Sequence, residues 1–522
     1  MFEQVFLTAS TLRLKTILVS IPLLAATSLL AWIFYTLFLH PLAKYPGPRL
    51  AAITRLWYVR QLQRGKFPTQ SRELHKTYGP IVRIAPDEVS FSDPKAGLAI
   101  YNVKTKFPKD KFQTDFYSTW SLKNFDTNEE KIFSDVDEVH AANRRKLLLP
   151  SYSMSSVLEA ETSIDQYTEL LLKRFNELGE RDEELNLVWW LEMYALDVIG
   201  DLFYGRSFGH LEAGGDAHGW LASIETFLIF ITIHASSPPY LRPLHDLWQA
   251  LTNKAFRGSL GTTVGIRDTS IKRAEERQTI IDEGKSAPRK DLLAKFMDLQ
   301  KEKQRSDWQL PDIQQEGFVA LFADSDTTAI AMSSMLHGIM ANADVMSKVL
   351  KELREALSDG TITLPVRYSD SIKLPYMSAC IKEGFRLHTS TGVTMSRFVP
   401  PGGAEIAGER FPAGTRVGCN SHVTHFDKET FGPDAVEFVP ERWLKGDAAS
   451  MERHMLHFGG GTRTCIGKHV ALAEIHKLLP HLLLEFDLQL VDPKAPIISD
   501  GQWFDKPLNI IVKARRRIPE QA

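Results

Sequence analysis

The sequence predicts a mainly α-helical protein with small β-sheets, preceded by a single transmembrane helix. Apolar residues recur at three- and four-residue spacing through residues 137–149, 159–178, 187–202, 314–357 and 468–486, which is the period of helices with one buried face. Strand patterns bounded by Pro and Gly occur at residues 81–91, 397–423 and 510–512, and they are long enough only for small sheets.

The membrane segment is residues 16–40, which contain no Asp, Glu, Lys or Arg and are rich in Leu, Ile and Ala. A helix of this length crosses a hydrocarbon core of about 30 Å. A cleaved signal peptide is the alternative, but its apolar region is only about 7–15 residues long. Basic residues are denser after the run than before it, which places the body in the cytosol. Those before it are Arg13 and Lys15, and those after it are Lys44, Arg49, Arg55, Arg60, Arg64 and Lys66.

We therefore divide the chain into an N-terminal segment (1–15), a transmembrane anchor (16–40), a proline-rich hinge (41–50) and one large body (51–522). Prolines in the hinge remove backbone donors and stop a helix from continuing. The body shows no repeat and no Gly/Ser linker. Within residues 81–91, two strand patterns flank a Pro-Asp pair, as the strands of a hairpin do. The charged segment 275–290 predicts a solvated connection.

Composition excludes several classes of function. The 62 Lys+Arg residues nearly balance 64 Asp+Glu, which gives a formal charge of −2 and no basic surplus for binding nucleic acid. The cysteines Cys380, Cys419 and Cys465 are odd in number and far apart, so they form no disulfide framework and fit a reducing compartment. Each is a small buried hydrophobe or a reactive or ligating thiol.

A glycine-rich loop, FGGGTRTCIG at residues 458–467, leads to Cys465 directly before a predicted helix. Its glycines allow the backbone to approach a large flat group without a Cβ in the way. A cysteine before a helix N-terminus lies at the positive end of the helix dipole, which favours the thiolate that ligates metals. Arg463 adds a permanent cation that can pair with a carboxylate of a bound group.

Three other interpretations of Cys465 compete with this one. A buried structural cysteine beside a glycine turn is the commonest of them. A phosphate-binding loop fails, because Thr462 stands where the pattern needs Gly and His469 where it needs Ser or Thr. A zinc site could combine Cys465 and His469 with His454 and His457, but this spacing matches no common zinc motif.

The spacing of Phe458, Gly461, Arg463, Cys465 and Gly467 resembles the haem-binding signature of the cytochrome P450 superfamily. The resemblance implies a cytochrome P450 fold and a haem b whose iron takes the Cys465 thiolate as its axial ligand. The hinge and this loop look most like those of fungal microsomal secondary-metabolism members similar to pisatin demethylase. Arg463, Phe458, Gly461 and Gly467 are then cofactor-binding residues.

Two further segments resemble the same family. Glu383 and Arg386 lie three residues apart on one predicted helix face, as in the family's ExxR helix, and Arg442 lies in a segment similar to its partner loop. By resemblance the three form a buried structural charge network behind the haem. An isolated pair of this kind is more often a surface ion pair.

Residues 323–328 place a polar cluster inside an otherwise apolar helix. A capped helix end is one explanation, although apolar periodicity resumes beyond the cluster. The run resembles the family's oxygen-binding groove, in which an acid and an alcohol, here Asp326 and Thr327, deliver protons as catalytic residues. Asp324 replaces the usual Gly. With this replacement the sequence does not determine the geometry of the groove. The added carboxylate alters proton delivery or contacts substrate.

Three cations match the family's haem-propionate ligands. His140 and Arg144 lie four residues apart on one helix face, and Arg397 occupies the usual strand position. A solvated face is the alternative for Arg144 and its neighbour Arg145. Candidate substrate-pocket residues include both aromatic and smaller side chains, although aromatics at such spacing are more often plain core. They are Phe112, Trp120, Phe227, Phe322, Ala323, Asp324, Val393 and Trp503.

The resemblance implies a single-pass endoplasmic reticulum enzyme, facing the cytosol, that inserts oxygen from O2 into a hydrophobic small molecule. Terpenoid, polyketide and indole-type metabolites are the expected substrates. No Gly-x-Gly-x-x-Gly loop is present, so electrons from NADPH come through a separate flavoprotein reductase, with cytochrome b5 a further candidate partner. Membrane lipid is the other partner. The alternatives are a haem-thiolate enzyme that rearranges or couples substrates without inserting oxygen, and a haem-binding protein without turnover.

Overall fold

The computed structural model describes residues 20–101, 115–120, 131–285, 289–303 and 308–517. Over these residues the chain is mostly helical with small sheets, as predicted. The helices are α1 (Ser20–Leu39), α2 (Arg49–Ile53), α3 (Leu56–Gln63), α4 (Phe67–Tyr78), α5 (Pro94–Tyr101), α6 (Asp115–Ser118), α7 (Glu138–Leu148), α8 (Met154–Leu158), α9 (Glu161–Glu180), α10 (Leu187–Tyr204), α11 (His210–Ala213), α12 (Trp220–Ser236), α13 (Arg242–Thr252), α14 (Lys254–Asp282), α15 (Leu292–Lys303), α16 (Leu310–Met340), α17 (Ala343–Ser358), α18 (Tyr368–Ser371), α19 (Pro375–Leu387), α20 (Ser421–Thr424), α21 (Lys428–Phe431), α22 (Ala448–Arg453) and α23 (Lys468–Glu485).

In the described parts of the chain, eleven strands form four small sheets. They are β1 (Ile81–Ala85), β2 (Glu88–Phe91), β3 (Leu185–Asn186), β4 (Arg397–Phe398), β5 (Ala404–Ile406), β6 (Glu409–Phe411), β7 (Arg416–Cys419), β8 (Phe486–Leu490), β9 (Ser499–Gly501), β10 (Asp505–Pro507) and β11 (Ile511–Arg516). The predicted hairpin is β1–β2, which extends through β7 to β4. Strand β2 pairs with β7 in parallel, whereas β1 and β4 run antiparallel to their neighbours.

Helix α16 runs through the interior and packs against α10, α14, α19 and α23. Seventeen of the residues of α10 are buried, because its surface is apolar on nearly every side. The predicted helical segment 314–357 is two helices, since α16 ends at Met340 and α17 begins at Ala343. Between them, the Asn342 side chain donates to the Gly338 carbonyl at 2.7 Å, so it ties the turn to α16.

The predicted connection at residues 275–290 is wrong in its first half. Helix α14 continues to Asp282, and the Gln278 amide donates to the Asp282 carboxylate at 2.7 Å one turn later. Glu, Arg, Gln and Lys are good helix formers as well as charged, so charge alone did not mark a loop. The chain leaves the helix at Glu283.

Helix α1 is the described counterpart of the predicted anchor, with a mean hydropathy of 1.8 and 6% of its apolar window buried. Its distal end rests on the body. The Trp32 indole donates to the Ile53 carbonyl at 2.9 Å, and the Arg83 guanidinium donates to the Thr36 carbonyl at 2.8 Å. Helix α2 begins at Arg49, inside the segment predicted as hinge.

Candidate functional site

The glycine-rich loop turns sharply before α23. Gly459 and Gly461 adopt φ values of 72° and 64°, in the left-handed region where a Cβ is strained. The Cys465 amide donates to the Phe458 carbonyl at 2.8 Å, which closes the loop and brings Cys465 to the start of the helix. A Cβ on Gly460 would lie 2.9 Å from the Tyr101 Cβ, so the loop also needs glycine for close packing.

The Cys465 thiol is accessible although protein atoms surround it. Burial raises its pKa, whereas the amide N–H groups of Gly467 and Lys468 and the cation of Arg145 lower it. The expected preference for thiolate at this helix start is therefore opposed by desolvation. A bound metal cation offsets that cost, because it deprotonates a coordinating thiol.

Ala323 of α16 is exposed at the middle of a helix whose neighbouring Leu321 and Ser325 are buried. An alanine can be accessible inside the body only if it faces an internal space. Thr327, one turn later, is half-buried. Its hydroxyl donates to the Ala323 carbonyl at 2.7 Å. This bond occupies a carbonyl of the helix ladder, as Thr does where a helix is locally distorted.

Asp326 is buried at 4% exposure and faces α10. Its carboxyl lies beside that of Glu192, and burial raises the pKa of Asp326. Lys506 lies beside the pair, and its ammonium opposes the increase. Asp326 and Thr327 are therefore neighbours on α16, but the acid lies within a cluster of charges from other elements.

Asp324, the residue at the family's glycine position, turns toward α23. Its Oδ1 accepts a hydrogen bond from the Thr328 hydroxyl at 3.0 Å, and its carboxyl lies beside the buried carboxyl of Glu474. Burial raises the pKa of Asp324 to about 6, and burial followed by the charge of Asp324 raises the pKa of Glu474. The two carboxyls accordingly hold a proton between them at mildly acidic pH.

The predicted propionate cations all have protein partners. Arg144 pairs with Asp312 at 3.1 Å in a buried ion pair, and His140 Nδ1 lies 2.5 Å from Asp135. Arg397 donates to the Tyr117 hydroxyl at 3.0 Å. These contacts hold the three side chains in position, and a propionate role for them stays a prediction.

Arg463 likewise meets a carboxylate of the protein itself. Its guanidinium contacts both carboxylate oxygens of Glu138, with distances from 2.9 to 3.1 Å, and donates to the Ile132 carbonyl at 3.1 Å. This bidentate pair ties the cysteine loop to the first turn of α7. The neighbouring Arg145 donates to the Thr464 carbonyl at 2.7 Å, directly before the cysteine.

Glu383, Arg386 and Arg442 form one buried network. Arg386 donates to both oxygens of Glu383, at 2.8 and 2.9 Å, and Arg442 Nε donates to the same carboxylate at 3.0 Å. The Val439 amide and the Trp443 indole complete its acceptor positions, each at 2.9 Å. The remaining N–H groups of Arg386 bind the carbonyls of residues 425, 435 and 437. The network thus joins α19 to the loop before α22.

The predicted pocket residues fall into two aromatic groups. Trp120 and Trp503 have ring centroids 5.4 Å apart, and Val393 belongs to the same apolar cluster. Phe227 of α12 meets Phe322 of α16 edge to face at 6.0 Å. Phe112 lies outside the described residues. Their role as walls of a substrate pocket stays a prediction.

A family model described as Cytochrome P450 matches residues 46–514. The chain belongs to the cytochrome P450 family. It is 38% identical to Cytochrome P450 monooxygenase gsfF of Penicillium aethiopicum over 94% of this chain and 96% of that protein. Pisatin demethylase of Fusarium vanettenii is 29% identical over 95% of this chain and 93% of its own length. Cytochrome P450 monooxygenase mpaDE of Penicillium roqueforti is 33% identical, and there the chain spans 56% of the relative's length.

This P450 is accordingly an oxidoreductase that incorporates oxygen and uses a haem-thiolate iron. The described residues fit that cofactor, since an enclosed but accessible thiol and an accessible alanine mark an internal space. Cys465 would ligate the iron, and the glycines of its loop leave room for the macrocycle.

Sequence reasoning missed three side chains of this P450 that the structure places beside the polar cluster of α16. Glu474 contacts Asp324, whereas Glu192 and Lys506 surround Asp326. Glu192 and Lys506 come from distant elements, so no local spacing could have linked them. Glu474 is a carboxylate in an apolar helix, and that buried position was the one signal available.

Proposed function

We propose that this protein is a membrane-bound P450 monooxygenase that uses O2 and electrons from NADPH to hydroxylate or otherwise oxidise a hydrophobic small molecule. The observation that carries the proposal is the accessible Cys465 thiol, which protein atoms surround and which lies near the Asp324 carboxyl of α16. Bound haem supplies the activation of O2. A terpenoid, polyketide or indole-type metabolite of fungal secondary metabolism is the expected substrate class, in line with the fungal relatives.

In this proposal α16 handles the protons. Thr327 donates its hydroxyl proton to the Ala323 carbonyl, which leaves the oxygen of the hydroxyl to accept a hydrogen bond from the cavity side. Asp326 is buried next to it, and this burial raises the pKa of the Asp326 carboxyl. Because general acids are most effective with a pKa near the working pH, this placement supports Asp326 as the proton source.

Substrate class follows from the walls of the cavity. The rings of Phe116, Trp120 and Trp503 pack together, and Phe227 and Phe322 form a second apolar contact. Such walls favour apolar, ring-containing molecules, since they offer large contact areas and few polar partners. Asp324 is turned to Thr328 and Glu474, which supports a role in the protein interior over one in substrate binding.

Membrane binding is supported by two surfaces. Helix α1 is apolar and almost entirely exposed. Helix α13 carries Leu244, Leu247, Trp248 and Leu251 with 57–70% of each residue exposed. A cleft of about 400 Å³ lies between them and is lined by residues of both regions, among them Trp32 of α1 and Tyr240 before α13. We infer that both surfaces contact the endoplasmic reticulum bilayer and that the body faces the cytosol.

Electron supply is assigned to a separate NADPH-dependent flavoprotein reductase, with cytochrome b5 as a further candidate donor. This assignment is supported by the sequence, which contains no Gly-x-Gly-x-x-Gly nucleotide-binding loop. Reconstitution with a reductase should give NADPH-dependent O2 consumption when a substrate is present. A lack of O2 consumption with every apolar candidate would favour a haem-binding protein without turnover.

The decisive test is the spectrum of the reduced, carbon-monoxide-bound full-length protein. A thiolate-ligated iron gives a red-shifted band, which should be lost in Cys465→Ser and retained in the matched control Cys419→Ser, whose buried thiol lies in β7. Persistence of the band in Cys465→Ser overturns the ligand assignment. Incorporation of oxygen from ¹⁸O₂ into product then separates oxygen insertion from rearrangement or coupling.

A further inference from the structure

Three charged side chains from three other elements meet beside Asp326. Lys506 of β10 places its Nζ 2.7 Å from Glu192 Oε1 of α10 and 3.2 Å from Glu225 Oε2 of α12. Glu192 in turn lies beside Asp326 of α16, and the charges of the two carboxyls act on each other. The contacts therefore form a chain from Asp326 through Glu192 and Lys506 to Glu225.

Solvent exposure is lowest at the two inner carboxyls and rises through Lys506 to Glu225. Asp326 and Glu192 are 4% and 1% exposed. The side chains of Lys506 and Glu225 are 18% and 43% exposed. The inner carboxyls are thus closed off from water, whereas the outer ion pair is in contact with it. One end reaches the proposed proton donor of the cavity, and the other reaches solvent.

The inner pair of carboxyls needs a proton to be stable. Two adjacent buried carboxylates repel each other and lose their hydration, and one ammonium cannot neutralise them together with Glu225. The groups that face Glu192 are Asp326, Lys506 and Glu225, and burial followed by Asp326 raises the pKa of Glu192 to about 8.

We propose that Glu192 is a second carboxyl of the proton-delivery path, which shares one proton with Asp326 and restores the proton that Asp326 releases. Lys506 holds Glu192 in position and connects it to the solvent-exposed Glu225. This inference rests on the proposed role of Asp326. It assigns a function to a residue of α10 that lies far from the cysteine loop in the sequence.

The proton balance of one cycle is closed. Asp326 gives a proton to the cavity side and becomes a carboxylate. This leaves both carboxyls ionised, so Glu192 takes a proton from the Lys506 ammonium and passes it to Asp326, which restores the one shared proton. Lys506 regains a proton from water at Glu225. One proton enters from solvent for each proton delivered, and no electrons move.

The test compares Glu192→Gln with Asp326→Asn in the full-length holoenzyme. Glutamine keeps the size of Glu192 and can accept from Lys506, but it cannot carry the proton. The matched control is Glu316→Gln, which changes an equally buried carboxyl on α16 that contacts the Ile132 amide instead. Each variant is examined by infrared spectroscopy of protonated carboxyls against pH, and by the ratio of product to O2 consumed.

We expect the wild type and Glu316→Gln to show a protonated-carboxyl band that disappears as pH rises through about 8. Glu192→Gln should lack this band, and its product per O2 should fall about tenfold or more while peroxide rises and substrate KM stays unchanged. The double variant should be no worse than Asp326→Asn alone, because residues in series are not additive.

Four results decide between the proposals. Coupling within about twofold of wild type in Glu192→Gln overturns the relay, whether or not the band is lost. A band that persists unchanged in Glu192→Gln also overturns it, since the proton then belongs to another group. If Asp326→Asn keeps full coupling, the proposed role of Asp326 fails. A defect in Asp326→Asn but not in Glu192→Gln retains that role and removes only the relay.

Discussion

Removing the Glu383 carboxylate should destabilise the body strongly. Glu383→Ala deprives five donors of their acceptor, namely two N–H groups of Arg386, one of Arg442, the Val439 amide and the Trp443 indole. Both Glu383 and Arg386 are fully buried, so water cannot replace the lost oxygens without opening the fold. Two guanidinium charges then remain near each other without the carboxylate.

The expected loss in the free energy of unfolding is about 3–5 kcal/mol, the range for breaking a buried ion pair from one side. The carbonyls of residues 425, 435 and 437 still solvate Arg386 and keep the cost from rising further. Trp443→Phe removes one donor only and should cost about 1 kcal/mol. Asp434→Ala removes the outer partner of Arg442. Because the Asp434 side chain is 39% exposed, its removal should cost about 1 kcal/mol or less.

These differences can be measured by urea unfolding of the full-length holoenzyme, followed by circular dichroism and by haem absorbance. If Glu383→Ala does not accumulate as folded protein, Glu383→Gln gives an intermediate loss, because its amide oxygen still accepts while the charge is gone. A loss below about 1 kcal/mol in Glu383→Ala, or an equal loss in Asp434→Ala, would refute the buried-network reasoning.

Three further predictions concern other sites. Burial raises the pKa of Asp324 to about 6 in the folded state, above its unfolded value, so the wild type loses stability as pH rises from about 4 to 6. This loss is up to about 3 kcal/mol, and Asp324→Asn should abolish it when unfolding is measured against pH. Gly338→Ala places a Cβ 2.3 Å from the Phe438 ring and should lower the free energy of unfolding by about 1–3 kcal/mol in thermal unfolding. In the control Gly258→Ala the Cβ faces open space, and the free energy of unfolding should rise by up to about 1 kcal/mol. Equal effects of the two variants would contradict the packing argument. Trp248→Asp should reduce vesicle binding of the protein in flotation, and unchanged binding would separate α13 from the membrane.

Local patterns were sufficient where the chemistry is contiguous. Five residues within 458–467 identified the haem loop, and the three-residue spacing of Glu383 and Arg386 identified the ion pair. Helices with one apolar face, such as α9, were located to within two residues at each end, because burial of that face decides their period. The end of α14 was missed, because charge marks solvent exposure and does not distinguish a helix from a loop.

Contacts between distant elements could be read only from the tertiary structure. Spacing placed Arg463 and Arg144 near a bound carboxylate, but the fold supplied Glu138 and Asp312 as their partners. Asp324 was recognised as a departure from the family, and its contact with Glu474 depends on how α16 crosses α23.

By itself the sequence determined the family, the mainly helical architecture and the apolar N-terminal segment, and it predicted the thiolate ligand, because each depends on residue types at short, regular intervals. The tertiary structure decided which charges neutralise one another and where a proton can be held. Buried charge is stable only with partners close in space, and packing brings Glu192, Asp326 and Lys506 together from positions that no sequence period connects.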